Sequence, residues 1–566
     1  MPNFTITKQF LLPSFELSNK EREKIDAFLE ILDQANIEKY IGLDYENGDK
    51  SQGGRPSYNP YRLFATIAYA FSKHSGSLRK IEESINYDLR FIYLMEQDRP
   101  SYVTISKFLN NIIVKFHQEI FTSIVKTIIS KFDINIDDVF LDGTKLEANA
   151  NKYKFVWKPT TFHLRLNETI KGLINKYFAD EFSKNKILKS KDVGLYLDCL
   201  LRQIDAQGID LKSLKFGRGY HCLPIVKDYL LLQKYLLKTL EYEEKEAICG
   251  QNRHSYFTTD HDATAMCLKE DYYSGLGSNM HAAYNAQIIV SKGIILAYYV
   301  GQERTDYYAF IPMLDAFKYG FAAYPKRLCA DAGYGSYSNY QYLKAHRIEN
   351  YVKYQSWQQE MTGTQVDLFS FNEFGQLVCL RGKVAVTFDL YYGRRPKKGT
   401  MLYVVTGCKG CRLKCICKAP IKNKDESERV FEVNRELQFF KQEARSNLLS
   451  VKGIEMRVNR SSQVEGAFGV IKHDMDYDRI RRRGLENVRA EFMLVSLGYV
   501  IRKLFTLIDG TAKLDYWQAP LDLQAAVMPE ANIKKLLKKT KLGKNETLRK
   551  SYKRHRKRAA RNAVVS

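Results

Sequence analysis

"VFLDGTKLEANANKYKFVWK", residues Val139 to Lys158, places an aspartate directly after a short apolar run. Asp142 and Gly143 follow Val139, Phe140 and Leu141, and Lys145 and Glu147 come next. An isolated Asp-Gly at such a point is the ordinary chemistry of a strand-ending turn. It becomes a site only if other carboxylates reach the same strand end. The order of the surrounding elements therefore decides how Asp142 is read.

Upstream, to about residue 130, the pattern is helical. "KEREKIDAFLEILDQANIEKYI" spaces its apolar residues for a helix that Ser18 caps. "NPYRLFATIAYAFSKHSGSLRKIEESINYDLRFIYLM" alternates helical runs with breaks at His74-Ser75-Gly76 and Asn86-Tyr87. Downstream, "INIDDVFLDGTKLEA" offers a first strand ending at Asp142, and a Lys-rich helical segment occupies about residues 160–250. "HAAYNAQIIVSKGIILAYYVG" reads as two strands joined at Ser291-Lys292-Gly293. "TDYYAFIPMLDAFKYGF" is a helix starting at Thr305, "PKRLCADAGYGS" a short strand ending at Asp331, "SNYQYLKAHR" a helix capped by Ser338, and "IENYVKY" a further strand. An irregular, β-prone stretch follows at about 356–440, and helix resumes with "QFFKQEARSNLLS" and "NRSSQVEGAFGVIKHDM".

With both insertions removed, this is the element order of an RNase H-like core. The expected fold is α/β. It has a helical N-terminal domain (1–130) and a catalytic core (131–505) carrying a helical insertion (about 150–255) and a β-rich insertion (about 356–440). A basic tail (506–566) completes it. That tail, "IKKLLKKTKLGKNETLRKSYKRHRKRAARN", is the one strongly biased segment and suits phosphate neutralisation.

Composition bounds the partners. The 566 residues exceed one core, and 45% are hydrophobic, as in a globular protein. The formal net charge of +24 points to a polyanion, most simply nucleic acid. No apolar stretch approaches the roughly 20 residues of a membrane span. The first residues lack the charged start and apolar run of a signal peptide, so a cytoplasmic location is expected. Ten cysteines fit a reducing compartment. Four of them, Cys408, Cys411, Cys415 and Cys417 in "CKGCRLKCICK", are candidates for one structural Zn²⁺, with reduced thiols on a turn as the alternative.

Three acidic positions stand out in this order. Asp142 and Asp331 end two strands expected to be parallel neighbours, and Glu465 lies on the helix of "NRSSQVEGAFGVIK". Converging carboxylates repel one another unless cations screen them, and hard Mg²⁺ or Mn²⁺ suits an oxygen donor set. Two such ions roughly 3.5–4 Å apart can drive phosphodiester transfer. Lys472, seven residues after Glu465, is placed to meet phosphate. Arg479, Arg481, Arg482 and Arg483 suit DNA backbone contact. Tyr334 and Tyr337 are either packing residues or stacking platforms for a base, and Asp260 and Asp262 are reserve acidic ligands.

These segments resemble the DDE transposases of bacterial insertion sequences, in the subgroup whose first motif reads "DGTKLEANANKY" and whose third reads "RSSQVEGAFGVIK". "ADAGYGSYSNYQYL" is similar to the middle motif, and residues 53–108 resemble the helical N-terminal domain of the same proteins. The resemblance implies Asp142, Asp331 and Glu465 as a triad holding two Mg²⁺ or Mn²⁺ ions. It also implies cleavage at element ends with strand transfer into target DNA, and at least a dimer when two ends are joined. A related branch carries Tyr and Arg where this chain has Val458 and Ser461, so Arg457 and Arg460 are the candidates to supply that positive charge. The rival readings are a nuclease on the same core that stops at hydrolysis, and an inactive DNA-binding derivative.

Overall fold

A computed structural model describes residues 17–42, 58–73, 76–178, 187–211, 223–251, 253–268, 280–362, 367–391, 393–413, 416–417, 427–512, 514, 516 and 518. The basic tail lies outside the described residues. The N-terminal helices are α1 (Asn19–Gln34), α2 (Glu38–Ile41), α3 (Pro60–Lys73), α4 (Leu78–Tyr87), α5 (Leu89–Leu94), α6 (Tyr102–Phe108) and α7 (Val114–Lys131). Ser18 caps α1 by accepting from the Glu21 amide, and Asp88 starts α5 by accepting from the Arg90 amide. Side-chain oxygens at these positions satisfy amides that the first turn cannot.

The central sheet begins with β1 (Asp138–Glu147). After it come β2 (Phe155–Trp157), the helices α8 (Thr160–Ile174), α9 (Ser190–Ala206) and α10 (Pro224–Cys249), then β3 (Ser255–Phe257) and β4 (Thr264–Cys267). The chain re-enters the sheet with β5 (Met280–Ser291) and β6 (Ile294–Gly301), turning through Lys292 and Gly293 at φ 51° and 75°. Next are α11 (Asp306–Phe321), β7 (Arg327–Ala330), α12 (Tyr337–Ala345) and β8 (Glu349–Val352). Ser336, not Ser338, caps α12, because its hydroxyl accepts from the Asn339 amide. β5 pairs antiparallel with both β6 and β1, whereas β1, β7 and β8 run parallel. The order β6-β5-β1-β7-β8, with β4 extending the β6 edge, is the RNase H-like arrangement that the element order anticipated.

The second insertion holds α13 (Trp357–Met361) and five short strands: β9 (Phe369–Phe371), β10 (Leu377–Cys379), β11 (Val386–Phe388), β12 (Met401–Thr406) and β13 (Glu428–Val433). The chain closes with α14 (Arg435–Leu449), α15 (Val451–Arg460), α16 (Gly466–Gly469) and α17 (Leu485–Ile508). Helix α16 is flanked by π-helical turns at Ser461–Glu465 and Val470–Asp474.

One hydrophobic cluster runs from Ile25 in α1 through the sheet to Phe505 in α17. The N-terminal helices therefore share the core of the sheet, where a separate domain ending near residue 130 was expected. α17 explains this. Fifteen of its residues are buried, so it is covered nearly all round, with α3 and α7 packed on it as well as β6. Gly498 permits the closest approach, since a Cβ there would meet the Phe71 backbone at 2.6 Å. The bundle α8–α10 has its own small core around Leu200 and Leu232. Among the described residues no helix is long and apolar enough to cross a membrane.

Candidate active site

The pairing of β1 with β7 ends at Leu141 opposite Ala330, so Asp142 and Asp331 are the next residues of adjacent parallel strands. The sequence reading ended β1 at Asp142. The strand instead continues to Glu147, because β5 keeps its ladder on the other side, with Gly143 opposite Gln287. Asp142 thus sits mid-strand, at the point where one neighbour stops. Gly143 is required there. A Cβ would fall 2.0 Å from the Gln287 amide, which lies across the position.

That amide belongs to a polar network under the site. Gln287 and Asn285, both fully buried, each donate to Oδ1 of Asp306, at 3.2 and 3.1 Å. Gln287 also accepts from the Tyr334 hydroxyl. Tyr334 is 1% exposed and packs in the core, so it is no platform for a base. Tyr337 bonds Glu436 instead. Asp306, the first residue of α11, is a fourth carboxylate close enough to disfavour ionisation of Asp142. Its only local signal is that of an acid in the first turn of a helix.

Charge balance centres on Arg460. Its guanidinium is 2.9 Å from Asp142 Oδ2 and 3.8 Å from Glu465 Oε1. Arg460 was expected on phosphate. The structure buries it (6% exposed) and turns it onto the carboxylates. Glu465 ends the first π-turn and accepts from the Ser461 hydroxyl at 2.9 Å. Such wider turns recur at functional sites. Burial pushes the Asp142 carboxyl up, against the pull of Arg460 and the Gly143 amide. For Asp331 burial acts in the same direction, but Arg460 and Lys353 prevail and hold it below the usual carboxylate range. Lys353 lies 3.3 Å from it.

The donor set is all carboxylate oxygen, drawn toward a single buried cation, and this chemistry fits Mg²⁺ or Mn²⁺. Among the described residues no three His, Cys, Asp or Glu side chains already stand around one point at ligand spacing. Arg460 pairs with Asp142 and Glu465.

The other expected contacts divide. Lys472 reaches back to Thr144 on β1, Nζ to Oγ1 2.7 Å, close to the acidic cluster. Arg457 stacks over Trp357 at 5.4 Å, and its half-buried guanidinium is turned away from the carboxylates. The arginine loop is tied to the first motif. Ile480 N–H donates to the Glu147 carbonyl (2.9 Å), Asn149 to the Arg481 carbonyl (2.7 Å), and Arg483 to the Asn149 carbonyl (2.8 Å). Arg479 pairs with Glu147 at 3.8 Å. The "EANAN" residues thus dock this loop, which leaves Arg481 and Arg483 exposed and Arg482 partly covered. The buried Glu491 accepts from the amides of Arg481 and Arg482 and from Tyr477.

A cavity of about 470 Å³ opens beside the loop, lined by Arg79, Tyr102, Asn110 and the three arginines 481–483. Asp260 and Asp262, the reserve ligands, instead hold the start of α17, accepting from the Gly484 amide at 3.2 Å and the Leu485 amide at 2.8 Å. Of the clustered cysteines, Cys408, Cys411 and Cys417 are free thiols, and Cys415 lies outside the described residues.

Two family models match the chain. Residues 378–505 match one described as a transposase DDE domain, and residues 14–111 match one described as a transposase domain. The first segment contains Arg460, Glu465, Lys472 and the arginine loop, while Asp142 and Asp331 lie before it. No curated protein matches.

Proposed function

Because the chain belongs to the insertion-sequence DDE transposases, DNA-acting nucleotidyl-transfer enzymes, we propose that Asp142, Asp331 and Glu465 are its metal-holding triad. The observation that carries this reading is the β1–β7 register. It sets Asp142 beside Asp331, and Arg460 links Asp142 to Glu465. Two divalent ions held by these carboxylates would activate a water or a DNA 3′-hydroxyl and stabilise the leaving oxygen.

The chain's own residues then do the positioning. Gly143 makes room for the Gln287 amide, which with Asn285 anchors Asp306 near Asp142. Arg460 and Lys353 together favour the ionised form of Asp331, which suits it to a cation. Lys472 presents a positive charge at Thr144, two residues along the strand from Asp142, where a scissile phosphate would lie. Arg481 and Arg483 hold the flanking DNA backbone, and their hydrogen bonds with Asn149 tie that grip to the segment that follows the catalytic strand. Cleavage at the element's terminal inverted repeats, strand transfer into target DNA and assembly of at least two copies on paired ends complete the proposal.

Single Asp142→Asn, Asp331→Asn and Glu465→Gln variants test it on a plasmid carrying the element ends. Each should lose strand cleavage by roughly 10³-fold or more while retaining DNA affinity. Near-normal Mg²⁺-dependent cleavage by any one would remove that residue from the triad.

A further inference from the structure

We propose that Cys379, Cys408, Cys411 and Cys417 form a tetrathiolate zinc site that staples the β-rich insertion, with Cys379 in the place that sequence spacing alone assigns to Cys415. All four line one cavity of about 30 Å³, whose other walls include Leu368, Val405, Phe431 and Arg429. That is room for a single ion or water.

Two tight turns bring the sulfurs there. In the first, the Gly382 amide donates to the Cys379 carbonyl at 2.8 Å, with Gly382 at φ 82°. In the second, the Cys411 amide donates to the Cys408 carbonyl at 3.1 Å, with Gly410 at φ 69°. Each turn offers a cysteine at its first position, and left-handed glycines let both backbones curl tightly. Cys417 enters from a third turn, its amide bonded to the Leu413 carbonyl at 3.0 Å.

Arg429 supplies an independent sign. It is 5% exposed, lines the same cavity, and its Nη1 has no hydrogen-bond partner among the described residues. A buried guanidinium nitrogen without a partner is costly beside neutral thiols. Beside a tetrathiolate zinc, which carries a net charge of −2, it is compensated. The apolar core of this insertion is small (Leu377, Ala385, Tyr403, Val405, Phe431 and Val433), and units of that size depend on a staple. The sulfurs do not stand at ligand spacing in the structure, since Cys408 Sγ leans on the Val405 carbonyl at 3.3 Å. Zn²⁺ would draw them to about 2.3 Å.

The test uses the full-length protein. Elemental analysis should find about one zinc per chain. In the wild type, Cys379, Cys408, Cys411 and Cys417 should resist alkylation until a chelator is added, while Cys415 labels at the same rate with or without it. C379S should lose the zinc and C415S should keep it. Because C379S could fail to fold, the alkylation pattern of the wild type decides independently. Zinc protection of Cys415 in place of Cys379 would overturn the proposed ligand set. Protein that contains no zinc, takes up none when it is added, and labels equally at all five thiols would overturn the site.

Discussion

Arg460→Gln removes the guanidinium that lies 2.9 Å from Asp142 and 3.8 Å from Glu465. The Arg460 side chain is 7% exposed and that of Asp142 22%. Removing one member of a buried pair costs about 3–5 kcal/mol, and the residual water at Asp142 brings the expectation down to about 2–3 kcal/mol. The Glu465 contact adds little, because that side chain is 61% exposed and screened. At about 2–4 °C per kcal/mol for large domains, Tm should fall by several degrees in chelator. Burial already raises the Asp142 carboxyl, and loss of Arg460 lets it rise further.

A divalent ion replaces the missing positive charge, and in the variant it no longer competes with the guanidinium for Asp142. Mn²⁺ at 100 times its Kd contributes about 2.7 kcal/mol, enough to recover most of the loss. Thermal unfolding of wild type and variant, in chelator and across a Mn²⁺ series, reads both effects without any DNA. A variant that melts with the wild type in chelator, or gains no more from Mn²⁺ than the wild type, would refute the placement of the ion beside Asp142.

Asp262→Ala withdraws the acceptor of the Leu485 amide and should destabilise the start of α17 by about 0.5–2 kcal/mol, read as a lower urea midpoint at unchanged slope. Lys353→Met tests the acid limb of stability. Arg460 and Lys353 hold Asp331 below its unfolded range, so its contribution is present above about pH 3.9 and is lost as pH falls through the lower folded value. The variant should be less stable at neutral pH by a few tenths of a kcal/mol, since Asp331 is half exposed, and the two curves should converge in acid. A constant gap down to pH 2 would show that Lys353 acts by packing instead.

The order of strands and helices, and the positions of Asp142, Asp331 and Glu465 along it, were legible in the chain itself. Apolar alternation, turn residues and helix caps are local signals, and the in-register start of the two parallel strands sets Asp142 beside Asp331 although β1 runs on past the end of β7. The arginine cluster was equally plain as composition, although its attachment to Glu147 and Asn149 was not.

What the tertiary structure alone decided are contacts between distant parts of the chain. Arg460 reaches Asp142 across 318 positions, and no periodicity records that meeting. Asp306 looked like any acid in a first helical turn until β5 brought Asn285 and Gln287 to it. Cys379 stands apart from the clustered cysteines, and only the tertiary fold carries it to the cavity that Cys408, Cys411 and Cys417 line. The N-terminal helices read as a domain because their own pattern is complete. They join the core because α17, buried along most of its length, leaves apolar surface that the sheet alone does not cover. Local patterning sets which elements form; the burial of their remaining apolar surface sets which of them meet, and so which charges must share a site.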